Sequence, residues 1–179
     1  MKKIDVCVVT KQGKMPVGLA NLGFPVNHII IDTSKPIGLA RYRAIQKVKS
    51  PWLIFIDDDI IIRKNTFAEV WKYAEDGAAM VCGIPNPYGL GKTDQLFAQY
   101  IKRYFPAVRF LKSRFDRGFT GFCLLNWNAV KDWIPSENAY YCYEDYDLTQ
   151  FLIRKGYECV NVYSVNFHAK SWTTLFHNS

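Results

Sequence analysis

The sequence predicts a single α/β domain, residues 1–179, with a mostly parallel central sheet flanked by helices. Short apolar runs rich in β-branched residues alternate along the chain with stretches of helical periodicity. Strands that alternate with helices are typical of parallel sheets, because each helix returns the chain to the edge where the next strand begins. A chain of 179 residues fits one domain and can bury a sizeable core.

The first half of the chain contains four strand patterns separated by helices. The strands are short, mainly apolar runs at residues 4–9, 28–31, 52–56 and 79–84. A helix over 38–48 is predicted from apolar or small residues at helical spacing, and Ser50-Pro51 stops it. A second helix, 66–75, begins after Asn65 as its cap and ends near Gly77.

The second half is less regular. Residues 85–91 are rich in Pro and Gly and predict a loop. Residues 94–105 place apolar and aromatic side chains on one helical stripe, with Lys102 and Arg103 beside it. Further strands are predicted at 119–125 and 159–165, and further helices at 128–133 and from 144 to about 156.

The net charge of +7 is concentrated in one stretch, since residues 88–118 hold seven Lys or Arg against two Asp. A local basic patch favours a phosphate-bearing ligand or an anionic membrane surface. Peripheral membrane contact through 92–117 is therefore one interpretation, and a solvated cationic face over a packed aromatic stripe is the other. No nucleic-acid-binding motif accompanies the charge, so we expect no nucleic-acid partner.

The cysteines indicate a reducing compartment. All five are scattered, with no CxxC pair, at positions 7, 82, 123, 142 and 159. This argues against a disulfide framework or a zinc cluster. The N-terminus lacks the apolar stretch of a signal peptide, and no window approaches about 18 uninterrupted apolar residues. We therefore expect a cytoplasmic protein.

Polar side chains follow the ends of four predicted strands. They are Thr10-Lys11, Asp32, Asp57-Asp58-Asp59 and His168. Ligands of open α/β sheets bind beyond the carboxyl ends of the strands, so these groups are expected to share one edge.

The acidic triplet Asp57-Asp58-Asp59 predicts a metal site, because three adjacent carboxylates repel one another unless a cation neutralises them. If the strand continued, Asp57 and Asp59 would project alike, and one could hold the metal while the other held a sugar hydroxyl. Hard oxygen ligands suit Mg²⁺ or Mn²⁺, which share their coordination shell with substrate phosphates. The alternative is a solvated acidic turn that caps the next helix.

The segments 38–43 and 52–59 together resemble the donor half of GT-A glycosyltransferases, in particular the large inverting family that includes cellulose and hyaluronan synthases. That family often has a small residue and Arg, a helix, and then a strand ending in a DxD-type motif. Gly121 and the segment from Glu144-Asp145 to Gly156 resemble its acceptor half. The resemblance implies a Rossmann-like GT-A domain, with about 1–87 as the donor half and about 88–179 as the acceptor half.

The resemblance also implies substrate contacts. Thr10, Lys11 and Asp32 would contact the base or ribose of a nucleotide-sugar donor. Arg41 would support the nucleotide edge of the pocket, and Gly121 would belong to the substrate site.

The remaining matched residues would bind the donor and the metal. Asp57 and Asp58 would face the ribose or sugar of the donor. Asp59 would hold the Mn²⁺ or Mg²⁺ ion that bridges the diphosphate, with Asp57 and His168 as further metal ligands. A structural, hydrogen-bonded histidine is the alternative for His168.

Asp145 resembles the catalytic base of the family, with Glu144 as the alternate. An inverting transferase removes a proton from the acceptor hydroxyl as it attacks the anomeric carbon, and a carboxylate at a helix N-terminus suits that task. The metal would stabilise the charge on the departing nucleoside diphosphate. An ordinary acidic helix start is the alternative.

The implied function is metal-dependent, inverting transfer of one sugar to a hydroxyl of a glycan, protein or lipid-linked acceptor. No motif of the processive synthases is present, which favours single transfer over polymerisation. Three alternatives remain open. A haloacid-dehalogenase-like phosphohydrolase also has a strand ending in DxD, a sugar nucleotidyltransferase is close in fold, and a non-catalytic sugar-binding module would retain the scaffold alone.

Overall fold

The computed structural model describes residues 3–11, 13–87, 96, 99–100, 103–104, 107–110 and 116–168, with the backbone alone at 85–87 and 164–168. Within these residues, eight strands form one sheet. They are β1 (Ile4–Val9), β2 (Val26–Asp32), β3 (Trp52–Asp57), β4 (Ile60–Ile61), β5 (Met80–Pro87), β6 (Ala107–Arg109), β7 (Phe122–Asn126) and β8 (Cys159–His168). The helices with described bounds are α1 (Ile37–Gln46), α2 (Thr66–Glu75), α3 (Trp127–Val130), α4 (Glu137–Tyr141) and α5 (Glu144–Arg154), with a 3-10 helix at Leu19–Leu22.

The predicted α/β class is confirmed, and the sheet has the order β2-β1-β3-β7-β5-β8-β4, with β6 also paired to β8. β1 runs parallel to β2 and β3, and its last residue, Val9, is in register with Asp32 and with Asp57. The carboxyl ends of these three strands therefore meet at one edge. The sheet is mixed because β7 runs antiparallel to both β3 and β5.

Two apolar clusters fill the two faces of the sheet, because successive side chains of a strand point to opposite faces. One cluster contains Phe55 and Trp133 and packs against α1, α3 and α5, whereas the other contains Ile54 and Ile56 and packs against α2. Cys7, Cys82 and Cys123 are buried free thiols. No helix among the described residues is both long and apolar enough to span a membrane.

A buried carboxylate at the start of β1 holds the opposite edge of the sheet together. Asp5 accepts hydrogen bonds from the Asn27 amide, from the backbone N–H groups of Lys49 and Ser50, and from the Ser50 hydroxyl. Burial raises the pKa of Asp5, but the hydrogen bonds from Lys49, Asn27 and Ser50 outweigh it, and the pKa is lowered overall. Asp5 thereby links β1, β2 and the turn before β3.

Several predicted boundaries are wrong where long-range pairing decides them. The predicted loop over 85–91 is partly strand, because β5 continues to Pro87 alongside β8. The last strand does not end at Val165 but at His168, because its end pairs with β4. β4, β6, α4 and the 3-10 helix have no counterpart among the predicted elements.

The predicted helix over 94–105 lies largely outside the described residues. Its described positions 96, 99–100 and 103–104 are helical, and Leu96, Tyr100 and Tyr104 are exposed rather than part of the core. The Tyr100 and Tyr104 rings lie 4.7 Å apart. Membrane contact through 92–117 stays a prediction, as does the division into halves at residue 87.

Asp5→Asn should destabilise the protein. The amide replaces one acceptor oxygen by a donor that faces other donors, so we expect the free energy of unfolding at neutral pH to fall by about 1–3 kcal/mol. Because the pKa of Asp5 is lowered, its stabilisation is present above the ordinary carboxyl pKa of 3.8 and is lost as the pH falls below it. The difference in free energy of unfolding between the wild type and Asp5→Asn should therefore become smaller in strong acid. Urea unfolding over a pH series measures both effects.

The control is Asp132→Asn, which alters an exposed carboxylate 3.7 Å from the Lys155 amine. A surface pair of this kind contributes little, so the control should unfold like the wild type. Equal stability of Asp5→Asn and Asp132→Asn would contradict the anchoring role of Asp5.

Candidate active site

A cleft of about 490 Å³ opens at the carboxyl ends of β1, β2 and β3. Its lining combines cations, hydroxyls and carboxylates. The lining residues are Val9, Thr10, Lys11, Lys14, Thr33, Ser34, Lys35, Ile37, Asp57, Asp58 and Asp59. The structure thus brings Thr10, Lys11 and the acidic triplet together, as the parallel register of the three strands requires.

The acidic triplet forms a turn rather than a continued strand. β3 ends at Asp57 and β4 begins at Ile60, so the expectation that Asp57 and Asp59 project alike from one strand is wrong. The Asp57 N–H donates to the Gly121 carbonyl at 2.8 Å, and Asp58 accepts from the Thr10 hydroxyl at 2.5 Å. All three aspartates nevertheless line the cleft, because the turn holds them against its wall.

Arg41 lies behind the cleft and joins two parts of the site. One guanidinium nitrogen donates to Asp57 at 2.8 Å, while the other donates to Glu144 and, at 2.5 Å, to the Thr120 hydroxyl. Arg41 is 2% exposed and is not part of the cleft lining. It therefore supports the cleft through Asp57, and direct contact with a substrate stays a prediction.

The charge of Arg41 is held by its two partners. Burial lowers the pKa of Arg41, but attraction to Asp57 and then to Glu144 outweighs this effect, so the pKa is raised overall. The guanidinium is therefore a permanent cation between two carboxylates.

Asp145 follows Glu144 in the first turn of α5 and is 7% exposed. Its Oδ2 accepts from Arg117 Nε at 2.8 Å, and its Oδ1 accepts from the Tyr146 N–H at 2.7 Å. The backbone beside Arg117 is fixed to the same helix, because Gly118 N–H donates to the Thr149 hydroxyl at 2.9 Å. Glu144 is committed to Arg41, so the geometry favours Asp145 over Glu144 as a proton acceptor.

A second cavity of about 590 Å³ lies on the α4–α5 side of the site. Its lining is mainly aromatic and uncharged polar, and none of its residues lines the first cleft. The lining residues are Arg117, Ser136, Asn138, Ala139, Tyr143, Tyr146 and Asp147. Glu144 thus connects to the first cleft through Arg41 and Asp57, while Asp145 connects to the second cavity through Arg117.

Asp32 shapes the cleft from behind. It is 8% exposed, accepts from the Ser34 N–H at 2.9 Å and from the Ser34 hydroxyl, and lies 3.8 Å from the Lys47 amine. The carboxylate thereby holds the loop after β2, whose residues 33–35 line the cleft. Contact of Asp32 itself with a base or ribose stays a prediction.

Gly121 provides the close approach of β7 to the acidic turn. A side chain there would place its Cβ 3.0 Å from Asp57 Oδ2 and 2.5 Å from the Phe119 ring. Glycine therefore lets the Gly121 carbonyl accept the hydrogen bond from the Asp57 N–H without displacement of the Phe119 ring or the Asp57 carboxylate.

His168 reaches the acidic turn through the backbone. It pairs with Ile60, the residue directly after Asp59, at the end of the β4–β8 ladder. Among the side chains that the structure describes, no group of three or more His, Cys, Asp or Glu is arranged to hold a metal on its own. Metal binding by Asp57, Asp59 and His168 therefore stays a prediction.

Sequence reasoning missed several lining residues. Thr33, Ser34 and Lys35 directly follow Asp32 at a predicted strand end, and that position was the available signal. Lys14 and the residues of the second cavity carry no local motif, because tertiary folding alone brings them together.

Arg41→Met should destabilise the protein strongly, because it leaves the Glu144 side chain, 10% exposed, and the Asp57 side chain, 29% exposed, without their cation. We expect the free energy of unfolding to fall by about 3–5 kcal/mol, measured by urea titration. The control is Arg109→Met, which removes the exposed pairs with Glu158 and Asp76 and should cost at most about 1 kcal/mol. Similar losses in the free energy of unfolding of Arg41→Met and Arg109→Met would show that the buried bridge stabilises the protein no more than an exposed ion pair.

Comparisons with known proteins agree with this architecture. TarS of S. aureus, residues 1–349, has a TM-score of 0.62 at 15% identity, over 95% of this chain and 60% of that chain. Glucosyl-3-phosphoglycerate synthase from Mycobacterium tuberculosis, with Mg²⁺ and UDP, has a TM-score of 0.58 at 12% identity, over 98% of this chain and 74% of that chain. A197 from STIV has a TM-score of 0.53 at 14% identity, over 93% of this chain and 83% of that chain.

These identities are low, and the structural likeness shows the fold alone. No curated protein matches the chain in sequence. The model of glycosyl transferase family 2 matches residues 18–132, which is more than half of the chain and spans α1, the acidic turn and β7. The protein is therefore a glycosyltransferase that belongs to glycosyl transferase family 2.

Proposed function

We propose that this glycosyltransferase transfers one sugar, with inversion, from a nucleotide-sugar donor to an acceptor hydroxyl and that it depends on a divalent metal ion. The observation that carries the proposal is the link from Asp57 through Arg41 to Glu144, the neighbour of Asp145. This link connects the first cleft, which would bind the donor, to the candidate catalytic base Asp145.

The charge pattern of the first cleft suits a nucleoside diphosphate. Lys11, Lys14 and Lys35 supply cations for phosphate oxygens, and the hydroxyls of Thr33 and Ser34 supply donors and acceptors for a ribose or base. The M. tuberculosis synthase is described in complex with Mg²⁺ and UDP, which is the donor chemistry proposed for this chain.

The donor set at the acidic turn fits Mg²⁺ or Mn²⁺. Such ions are typically held by one or two carboxylates and complete their shell with substrate phosphates, so a preformed cage of protein ligands is not required. Asp59 and Asp57 would hold the ion, with His168 as a further ligand. When bound, the ion would stabilise the charge that develops on the nucleoside diphosphate. Thr10 and Arg41 orient Asp58 and Asp57 for their roles.

Asp145 would act as the base. The acceptor oxygen forms a bond to the anomeric carbon, the bond from that carbon to the phosphate oxygen breaks, and its electron pair leaves with the nucleoside diphosphate. The hydroxyl proton passes to the Asp145 carboxylate, which has lone pairs beyond those used by Arg117 and the Tyr146 N–H. Attack from the face opposite the leaving group inverts the anomeric centre.

The alternative reactions are less well supported. A phosphohydrolase would need Asp57 as its nucleophile, yet that carboxylate is bound by the buried Arg41 cation, which reduces its nucleophilicity.

Two further expectations remain parts of the proposal. They are the particular resemblance to cellulose and hyaluronan synthases and the cytoplasmic location inferred from the free cysteines.

Nucleotide binding should depend on metal and on Asp59. A nucleoside diphosphate that binds the folded state raises the midpoint of thermal unfolding. A panel of nucleoside diphosphates, measured with and without Mn²⁺, therefore identifies the nucleobase of the donor. We expect the Mn²⁺-dependent part of the rise to disappear in Asp59→Asn and to persist in Asp76→Asn, whose carboxylate is exposed and remote from the cleft. A rise of equal size without Mn²⁺ would remove the metal from the proposal, and an undiminished Mn²⁺-dependent rise in Asp59→Asn would remove Asp59 as a metal ligand.

Turnover should depend on Asp145. Loss of a general base costs about 10²–10⁴ in rate, so Asp145→Asn should retain the nucleotide-dependent thermal shift while kcat for release of nucleoside diphosphate falls by about that factor. Asp76→Asn again serves as the control and should match the wild type. Equal turnover in wild type and Asp145→Asn would eliminate Asp145 as the base.

A further inference from the structure

The second cavity differs in chemistry from the cleft that the donor would occupy. Its volume of about 590 Å³ lies within the range typical of small-ligand pockets. Among the residues that the structure describes, its charged lining residues are one cation, Arg117, and one anion, Asp147. The first cleft instead presents three lysines and three aspartates.

We infer that this cavity is the acceptor subsite and that the acceptor is an uncharged carbohydrate; the inference rests on the proposed function. Its position is the first argument. Tyr143, Tyr146 and Asp147 surround Asp145 in sequence at the start of α5, and the lining residue Arg117 donates to the Asp145 carboxylate at 2.8 Å. A hydroxyl of a molecule bound among these side chains is therefore close to the candidate base.

The charge of the cavity argues against a phosphorylated or carboxylated acceptor. The Arg117 guanidinium is neutralised by Asp145, and Asp147 adds a further negative charge. Lysine and arginine in excess would be expected around an anionic ligand. The part of the second cavity's lining that the structure describes lacks that excess, whereas the first cleft has Lys11, Lys14 and Lys35.

The tyrosines supply the surface on which a sugar ring stacks. Tyr143 is 60% exposed, and the Arg117 guanidinium lies 5.9 Å from its ring centroid. Its φ is 63°, a left-handed conformation that a bulky residue rarely adopts. Strain of this kind persists where surrounding structure enforces it and is common at ligand-binding positions. Tyr143 therefore presents an aromatic ring to solvent close to Asp145, at a backbone conformation that glycine would adopt more easily.

Uncharged polar groups complete the recognition surface. The Ser136 hydroxyl makes no capping hydrogen bond to α4, and Asn138 is exposed on the first turn of that helix. A hydroxyl and an amide both donate and accept, which matches the hydroxyl groups of a saccharide. Aromatic rings combined with such groups favour a neutral sugar over a lipid chain.

The test is a transfer assay with the donor identified by the nucleotide panel. Neutral mono- and oligosaccharides are compared with sugar phosphates, phosphoglycerate and a short-chain lipid phosphate as acceptors. We expect neutral saccharides to be glycosylated and the anionic compounds to be inert. In Tyr143→Gly, which removes the ring and relieves the positive φ, KM for the saccharide should rise at least about tenfold with a much smaller change in KM for the donor.

Tyr143→Phe and Tyr157→Ala are the matched variants. The first keeps the ring, so its acceptor KM should lie well below that of Tyr143→Gly, and the second removes a partly exposed tyrosine outside the cavity and should behave as wild type. The thermal midpoint of Tyr143→Gly should not fall, which separates loss of stacking from loss of folding.

The outcomes separate this inference from the proposed function. If the protein neither binds nor hydrolyses any nucleotide sugar, the proposed function fails and the inference fails with it. If the donor is turned over but only anionic acceptors, or no neutral saccharide of the panel, are glycosylated, the carbohydrate inference alone is wrong. An unchanged acceptor KM in Tyr143→Gly would place the subsite elsewhere.

Discussion

The buried ion-pair bridge of Arg41 with Asp57 and Glu144 is the interaction on which the site depends. A charge removed from water is costly unless it is paired and hydrogen-bonded, and Arg41 meets that condition through two carboxylates and the Thr120 hydroxyl. The bridge joins the end of β3 to the start of α5, which are far apart in sequence. Any movement of one element therefore disturbs the geometry of the other.

This bridge also explains why two neighbouring acids in the first turn of α5 differ in their contacts. Glu144 pairs with a fully buried cation, whereas Asp145 pairs with Arg117, whose side chain is half exposed. The partner of Asp145 is thus the more weakly held of the two, because solvent screens an exposed pair. Glu144 is therefore part of the scaffold. Asp145 instead lies beside the second cavity, where a ligand can compete with Arg117 for its carboxylate.

The sequence predicted the features that depend on local pattern. The parallel strands β1, β2 and β3, the acidic turn after β3 and the acidic start of α5 all follow from apolar runs and their polar ends. The bridge from Arg41 to Glu144 could not be predicted, because it joins residues about a hundred positions apart and neither has a local signal of pairing. The antiparallel insertion of β7 between β3 and β5 was missed for the same reason. So was the extension of β8, whose end pairs with both β4 and β5.

The pairing of β4 with β8 has a consequence for how the site is completed during synthesis. Ile60 and Ile61, next to the acidic turn, pair with His168 and Phe167, which follow about a hundred positions later in the sequence. A nascent chain can form β1, β2, β3 and their helix early, since domains fold as their elements emerge. The part of β8 that pairs beside the acidic turn is synthesised well after β3, about a hundred positions later. The edge that carries the acidic turn is therefore completed only after β1, β2 and β3 have been synthesised.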